Sequence, residues 1–363
     1  KGYTGKCLNV NLTAWQIELR EFDAVLAEGY LGGNGFGTRL LWEHVGPDVD
    51  PLAPESLLIL ATGPLCGTLV PNGCRVEVIA KSPLTGIYGD ANAGGSFGPE
   101  LKFAGWDAIV ITGQAPRPVY LAIADEQVEL RDAGDLWGLT TSQAEAVIRR
   151  AWGDPQVKTA IIGPAGENGV RFAGIQLTSQ RSAARCGLGA VMGSKNLKAV
   201  AVRGHGPIHV ADPARFHDLA VSFHHRLRAN PVYPPVSAHG TPGIVTLMDR
   251  LGRFPTRNFQ MGSFPQVDAI GAEALEARAF VRHLACFGCP VGCDKLYRLS
   301  DGPHAGTALS SVEYETLNSM GANVWNADLD AVLAANRLCD DLGLDTISAG
   351  RAISFAMELW DEE

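Results

Sequence analysis

At 363 residues the chain is long enough for two or three domains of roughly 150 residues each. Its 46% hydrophobic and 19% charged content is that of a folded globular protein rather than a disordered one. The 30 Lys and Arg against 39 Asp and Glu leave a formal charge of −9, which argues against nucleic acid as a partner, because a phosphate backbone needs a concentrated basic surface. The longest apolar runs, 57–61 and 107–112, are far shorter than the ~20 residues that cross a bilayer, so no membrane span is expected. The first five residues carry no apolar secretory core, and a cytoplasmic location is the expectation.

Up to about residue 205 the chain shows short β-rich runs punctuated by Gly, Pro and Asn: 10–12, 57–61, 75–80, 108–112, 119–124, 159–162 and 199–203. Runs of this length bounded by turn residues read as strands. One amphipathic helix is expected near 142–151, with Ser142 as its cap and Ala144, Val147, Ile148 and Ala151 at helical spacing. The order is not a clean alternation of strand and helix, so a doubly wound parallel sheet is not expected. Beyond Ile208 the texture changes. The linker Gly204-His205-Gly206-Pro207 leads into helical patterns at 209–227 and 329–342, and a further helical stretch begins at 353. The fold class read from this is α+β, β-rich first and mainly helical afterwards. The domain expectation is 1–208, then 209–345 carrying a cysteine motif, then 346–363 as the start of a further helical domain.

The 42 glycines exceed the usual share of about 7%, which implies frequent turns or close approach of backbone to a ligand. Eight cysteines in a chain expected in the cytoplasm read as thiols or metal ligands rather than disulfides. Three are bunched, in Cys286-Phe287-Gly288-Cys289-Pro290-Val291-Gly292-Cys293. Thiolates are soft donors that select iron–sulfur clusters or zinc, and three within eight residues converge on one centre. Zinc more often shows a second C-x2-C some ~15–20 residues away, which is missing here, so an iron–sulfur cluster is favoured over zinc or a chance group of buried thiols. A fourth ligand is then owed. Cys339 is the one cysteine downstream, and its place on an expected helix gives it no spacing argument.

Other segments read less specifically. Ala91-Asn92-Ala93-Gly94-Gly95-Ser96-Phe97-Gly98 would let backbone amides approach a phosphate, but it lacks the Gly-Lys-Ser/Thr of a nucleotide loop. Gly33-Asn34-Gly35-Phe36-Gly37 misses the dinucleotide fingerprint, and both stretches read equally as turns. The run from Arg181 through Arg185 to Lys195 places guanidinium groups beside small residues, suited to a phosphate or pterin rim or to a solvated loop. Asp340 to Thr346 reads as a helix closed by Gly343 followed by Asp345 as the next cap. Carboxylates at such helix ends could also hydrogen-bond an amide-like ring system. Glu313-Tyr314-Glu315 reads as surface.

Taken together the segments resemble the tungsten-containing aldehyde ferredoxin oxidoreductases along nearly the whole chain. The resemblance is carried by Lys81-Ser82-Pro83-Leu84-Thr85-Gly86, by Ala91 to Gly95 continuing to Leu101-Lys102-Phe103-Ala104-Gly105-Trp106-Asp107, and by Ile162-Gly163-Pro164-Ala165-Gly166-Glu167-Asn168. Gly189 to Ala199, the three cysteines and Asp340 to Ser348 complete it. It implies an N-terminal saddle of two β-sheets beneath a tungsten bis-pyranopterin cofactor of the molybdopterin type, with helical domains above. It further implies a 4Fe–4S cluster on Cys286, Cys289 and Cys293, bridged to the cofactor by Arg75. Asn92 and the backbone around Ser182 would match a Mg2+ site joining the pterin phosphates, with Gly94, Arg181 and Ala184 in the same cofactor-binding loops. Asp340 and Asp345 would hydrogen-bond one pterin, and Glu315 would be the acid or base near the metal.

The implied reaction is oxidation of an aldehyde and water to a carboxylic acid, with electrons leaving through the cluster to ferredoxin or an iron–sulfur subunit. Molybdenum in place of tungsten, a ring-reducing subunit acting on benzoyl-CoA, and a cluster-binding scaffold without tungsten are the alternatives. The resemblance also implies that a fourth cluster cysteine, a second Asp-x-x-Gly-Leu motif and a His near the metal are supplied by a further stretch of polypeptide or by a partner chain. A homodimer is compatible with it, but the Glu-x-x-His that would bridge subunits through a metal reads Ala334-Ala335-Asn336-Arg337 here.

Overall fold

The computed structural model describes residues 2–21, 24–178 and 181–362. The chain divides into two compact units. The first comprises Lys1–His224, Cys286–Cys289 and Asp341–Leu344; the second comprises His225–Ala285, Pro290–Asp340 and Asp345–Glu363.

The first unit is built on two six-stranded mixed sheets. One contains β1 (Lys6–Asn11), β2 (Gln16–Glu21), β3 (Leu58–Thr62), β4 (Val76–Lys81), β5 (Tyr88–Ala93) and β6 (Ala108–Thr112), in the order β2-β1-β6-β3-β4-β5. The other contains β7 (Val119–Ala124), β8 (Gln127–Asp132), β9 (Lys158–Ile161), β10 (Ile175–Leu177), β11 (Arg181–Ala183) and β12 (Leu197–Arg203), in the order β11-β10-β9-β12-β7-β8. Each sheet has one parallel pair, β1 with β6 and β12 with β7.

Because side chains alternate along a strand, each strand feeds two layers. Val76, Val78 and Ala80 of β4 and Ala91 and Ala93 of β5 join Val119, Leu121, Ile123, Val200 and Val202 of the second sheet in one buried core. The opposite face of the first sheet is covered by helix Gly33–His44, whose Phe36, Leu40 and Leu41 pack on Cys7, Ile59, Ala61 and Ile79. Helix Thr141–Trp152 covers the outer face of the second sheet through Ala144 and Ile148. The expected pair of β-sheets is thus present, sandwiched between helices.

Several local expectations are corrected. Ser142 is not the cap of its helix: Thr140 is, through a reciprocal capping box with Gln143, and the Ser142 hydroxyl donates instead to Asp341. Gly33 to Gly37 is not a turn but the opening of a helix. Its small residues are required there, because a Cβ on Gly37 would lie 2.5 Å from Ile79 Cδ1 and one on Gly35 would lie 2.4 Å from the Tyr30 carbonyl oxygen. Strands β2, β5, β8, β10 and β11 were not expected from the sequence, being polar, glycine-containing or only three residues long.

The second unit is helical at Tyr233–His239, Ala272–Ala279, Tyr314–Ser319, Leu329–Leu342 and Thr346–Glu362. The helix at 329–342 matches its expected bounds, the last helix starts seven residues before 353, and the helix expected at 209–227 runs Pro213–Arg228. The unit also holds an antiparallel sheet of β13 (Phe280–Leu284), β14 (Asp294–Arg298) and β15 (Ala308–Ser310). The cysteine motif is therefore the connection between two hairpin strands, not part of a helical array. Among the described residues no helix is long and apolar enough to cross a membrane.

Burial has a titration consequence in the first unit. Cys7, 1% exposed on β1, has its thiol pushed up to about 12, chiefly by burial and then by the Asp107 carboxylate. Between about pH 9 and 12 the folded chain keeps a proton that the unfolded chain releases, so this group's contribution to stability is whole below pH 9 and is lost as pH rises through the folded value. The fall in the urea midpoint from pH 9 to 11 is expected to be shallower in Cys7→Val than in the wild type; equal slopes would remove Cys7 from the account.

Candidate functional site

In the first unit the structure brings together Arg75, Asn92, Gly94, Arg181 and Cys286. Arg75 immediately precedes β4 and Asn92 lies on β5, in the strand pair where Glu77 stands directly opposite Asn92. The Arg75 guanidinium donates to the Asn92 side-chain oxygen, and the Asn92 amide donates to Glu77 Oε1. Glu77 Oε2 is buried without a hydrogen-bond partner, and burial is the main cause that raises its carboxyl above the usual range. Further along the same face, Asn34 Nδ2 donates to Asp90 Oδ2 at 2.7 Å and Tyr88 Oη donates to Asn34 Oδ1 at 2.6 Å.

The glycines after β5 make room for the cysteine loop. A Cβ on Gly94 would sit 2.9 Å from Cys286 Sγ, and one on Gly95, whose φ is +97°, would sit 3.0 Å from Arg181 Cγ. The Phe287 amide donates to the Gly95 carbonyl at 3.0 Å, and the Phe287 ring packs edge-on against Phe103. The Cys286 sulfur accepts from Cys74 and from the Gly95 backbone amide, with the Arg181 and Arg75 charges nearby. These lower its thiol to about 6, the Cys74 hydrogen bond contributing most, while the same bond together with burial raises Cys74. A thiolate is the form that ligates metal, so the surroundings of Cys286 fit a sulfur-ligated metal centre. Cys289 belongs to the same unit, and its amide donates to the Cys286 carbonyl at 3.1 Å.

Ser182 lies on β11, where its hydroxyl accepts from Gln176 Nε2 at 3.0 Å. Ala184 follows that strand, packed so closely that a Cβ on Gly174 would lie 2.7 Å from its Cα. Both are partly exposed.

The other expected site residues belong to the second unit. Cys293 is exposed at the end of the hairpin loop, with its carbonyl accepting from Lys295 Nζ at 2.9 Å. Glu315 is exposed in the first turn of helix Tyr314–Ser319. The start of that helix is fixed by Thr241, whose hydroxyl donates to Glu313 and accepts from the Tyr314 amide at 2.9 Å. Asp340 is buried and accepts from Asn336 Nδ2 at 3.0 Å. Asp345 is 3% exposed and caps helix Thr346–Glu362, accepting from the Ile347 and Ser348 amides and from the Ser348 hydroxyl at 2.6 Å. The helix-end amides thought available to a ligand are thus partly engaged by Asp345 itself. Gly343 takes the expected left-handed conformation, φ +74°, and its carbonyl accepts from the Gly174 amide at 2.8 Å.

Among the described residues no three His, Cys, Asp or Glu side chains are gathered into a preformed site for a metal ion. Two participants escaped the sequence reading. Glu77 sits in an alternating strand and read as a surface position, while Cys74 stood among the scattered cysteines. The adjacency of Cys74 to Arg75 was the only signal available.

The chain belongs to the aldehyde ferredoxin oxidoreductase family: the family's N-terminal domain matches residues 7–204, and its domains 2 and 3 match residues 218–363. Among curated relatives it is 45% identical over 362 residues to the tungsten-containing aldehyde ferredoxin oxidoreductase of Pyrococcus furiosus, and 46% identical over 362 residues to that of Pyrococcus abyssi. Each match covers 99% of this chain and 59% of the relative, so the chain spans a little under three-fifths of their length. Among solved structures it is similar to the active-site complex of a benzoyl coenzyme A reductase bound to 1,5-dienoyl-CoA. That likeness has a TM-score of 0.88 and 32% identity, and covers 99% of this chain and 56% of the other.

Proposed function

We propose that this chain forms the catalytic part of an oxidoreductase that converts an aldehyde and water to a carboxylic acid, releasing two electrons to ferredoxin or an iron–sulfur partner subunit. The observation that supports this best is the 45–46% identity, along essentially the whole chain, to two enzymes named for that reaction. A bis-pyranopterin tungsten or molybdenum centre would supply two-electron oxidation, and a 4Fe–4S cluster would export the electrons singly.

The chain's own residues have separable tasks in this reading. Cys286, Cys289 and Cys293 supply three thiolates to the cluster, and the Gly94 gap and the Gly95 amide seat the first of them. Arg75 and Arg181 offset negative charge beside it and bind the cofactor rim. Asn92 and the backbone around Ser182 offer oxygen donors to a Mg2+ between pterin phosphates; the unpartnered Glu77 Oε2 beside Asn92 suits such a hard cation. Gly94 and Ala184 keep backbone accessible to the cofactor, Asp340 and Asp345 present carboxylates to a pterin, and Glu315 holds or moves a proton at the substrate oxygen.

The structural likeness to benzoyl coenzyme A reductase supports one other reading, reduction of an aromatic thioester. Anaerobically purified full-length protein should contain iron together with tungsten or molybdenum, and should reduce a viologen dye with an aldehyde. Turnover of an aromatic thioester with a low-potential donor, and none with aldehydes, would favour the second reading. Iron without either heavy metal would leave only a cluster-binding role.

A further inference from the structure

Cys74 has no role in the account above, yet its sulfur is in hydrogen-bonding contact with Cys286, the first residue of the cysteine motif. Its position is set by a tight loop. The Gly67 amide donates to the Gly73 carbonyl at 2.6 Å, the Cys74 amide donates to the Asn72 carbonyl at 2.8 Å, and Asn72 is held at φ +63°. Cys74 is 2% exposed and Cys66, close by in the same loop, is 4% exposed, so water does not compete for the thiol proton. On the other side, Gly94 leaves the gap into which the Cys286 sulfur fits.

Resting on the cluster proposed above, we propose that Cys74 is a positioning residue of the electron-transfer centre, its S–H donating to the ligating sulfur of Cys286 and raising the reduction potential of the cluster. Donors to ligand sulfurs withdraw negative charge from an iron–sulfur cluster and so favour the reduced form. The contact suits a donor rather than a fourth ligand. Each thiolate of a 4Fe–4S cluster binds a separate iron, which holds ligand sulfurs apart, whereas these two sulfurs touch. The Gly95 amide donates to the same sulfur, so Cys74 adds to an existing donor set and its loss should leave the cluster in place.

The test compares anaerobically purified full-length wild type, Cys74→Ala and Cys74→Ser by iron content and by redox titration of the cluster followed by electron paramagnetic resonance. Cys74→Ala should keep the wild-type iron per chain and show a lower reduction potential. Cys74→Ser, which retains a donor, should stay at or above the wild-type value. Equal potentials in all three with intact clusters would overturn the inference while leaving the cluster itself standing. Loss of iron in both variants would overturn it in favour of a ligand or purely structural role. A wild type without cluster iron would overturn the functional reading and this inference with it.

Discussion

Replacing Glu315 by Gln is expected to lower aldehyde turnover by about 10²–10⁴-fold, the usual contribution of a positioned acid or base, with iron and heavy-metal contents unchanged. The substitution keeps size and hydrogen-bonding capacity but cannot exchange a proton at neutral pH. Glu315 is exposed, so Gln meets no packing penalty and the stability of the chain should stay within about 0.5 kcal/mol. The Ser319 hydroxyl donates to the Glu315 backbone carbonyl at 2.7 Å, not to its side chain, so that contact survives the change. Its placement depends on the Thr241 anchor at the helix start, and Thr241→Val should therefore lower turnover less than Glu315→Gln does, by disturbing position rather than chemistry. Wild-type turnover in a fully metallated Glu315→Gln protein would remove Glu315 from the reaction.

The apolar strands were legible because burial repeats itself in sequence. Residues 57–61, 108–112, 119–124 and 199–203 are short β-branched or Leu-rich runs, and all lie within or beside strands of the two sheets. The polar partners were not legible. β5 reads Tyr-Gly-Asp-Ala-Asn-Ala, a turn-like composition, and becomes a strand because Ala91 and Ala93 fill the inter-sheet core while Asp90 and Asn92 pair with groups on the outer face. Tertiary context overrides propensity there. The cysteine spacing was legible as chemistry, but nothing in it indicates that Cys286 meets Gly94 and Cys74 some 190 or more residues earlier. Such a contact belongs to the fold and to no local pattern. The Asp345 cap was legible for the opposite reason, since its hydrogen bonds close within three residues.

Asp107→Ala is expected to destabilise the first unit by about 3–5 kcal/mol, the range for removing one member of a buried ion pair. The Asp107 side chain is 1% exposed and its partner Lys102 is fully buried. The carboxylate accepts from Lys102 Nζ, from the Thr4 amide and hydroxyl at 3.2 and 3.0 Å, and from the Gly5 amide at 2.8 Å. Lys102 Nζ also donates to the Gly2 carbonyl at 2.8 Å. One buried pair thus fastens the segment leading into β1, and its removal strands an ammonium and two backbone amides together. Lys102→Met combined with Asp107→Ala should recover part of the loss, because the stranded charge is gone. It should not recover all of it, because the Thr4 and Gly5 amides still lack their acceptor. Urea midpoints of the two single variants and the double variant give the coupling, and hydrogen exchange locates it: amides of β1 should exchange faster in Asp107→Ala than those of β9 in the other sheet. Additive losses, or a double variant no better than Asp107→Ala, would show that the pair does not act as a unit.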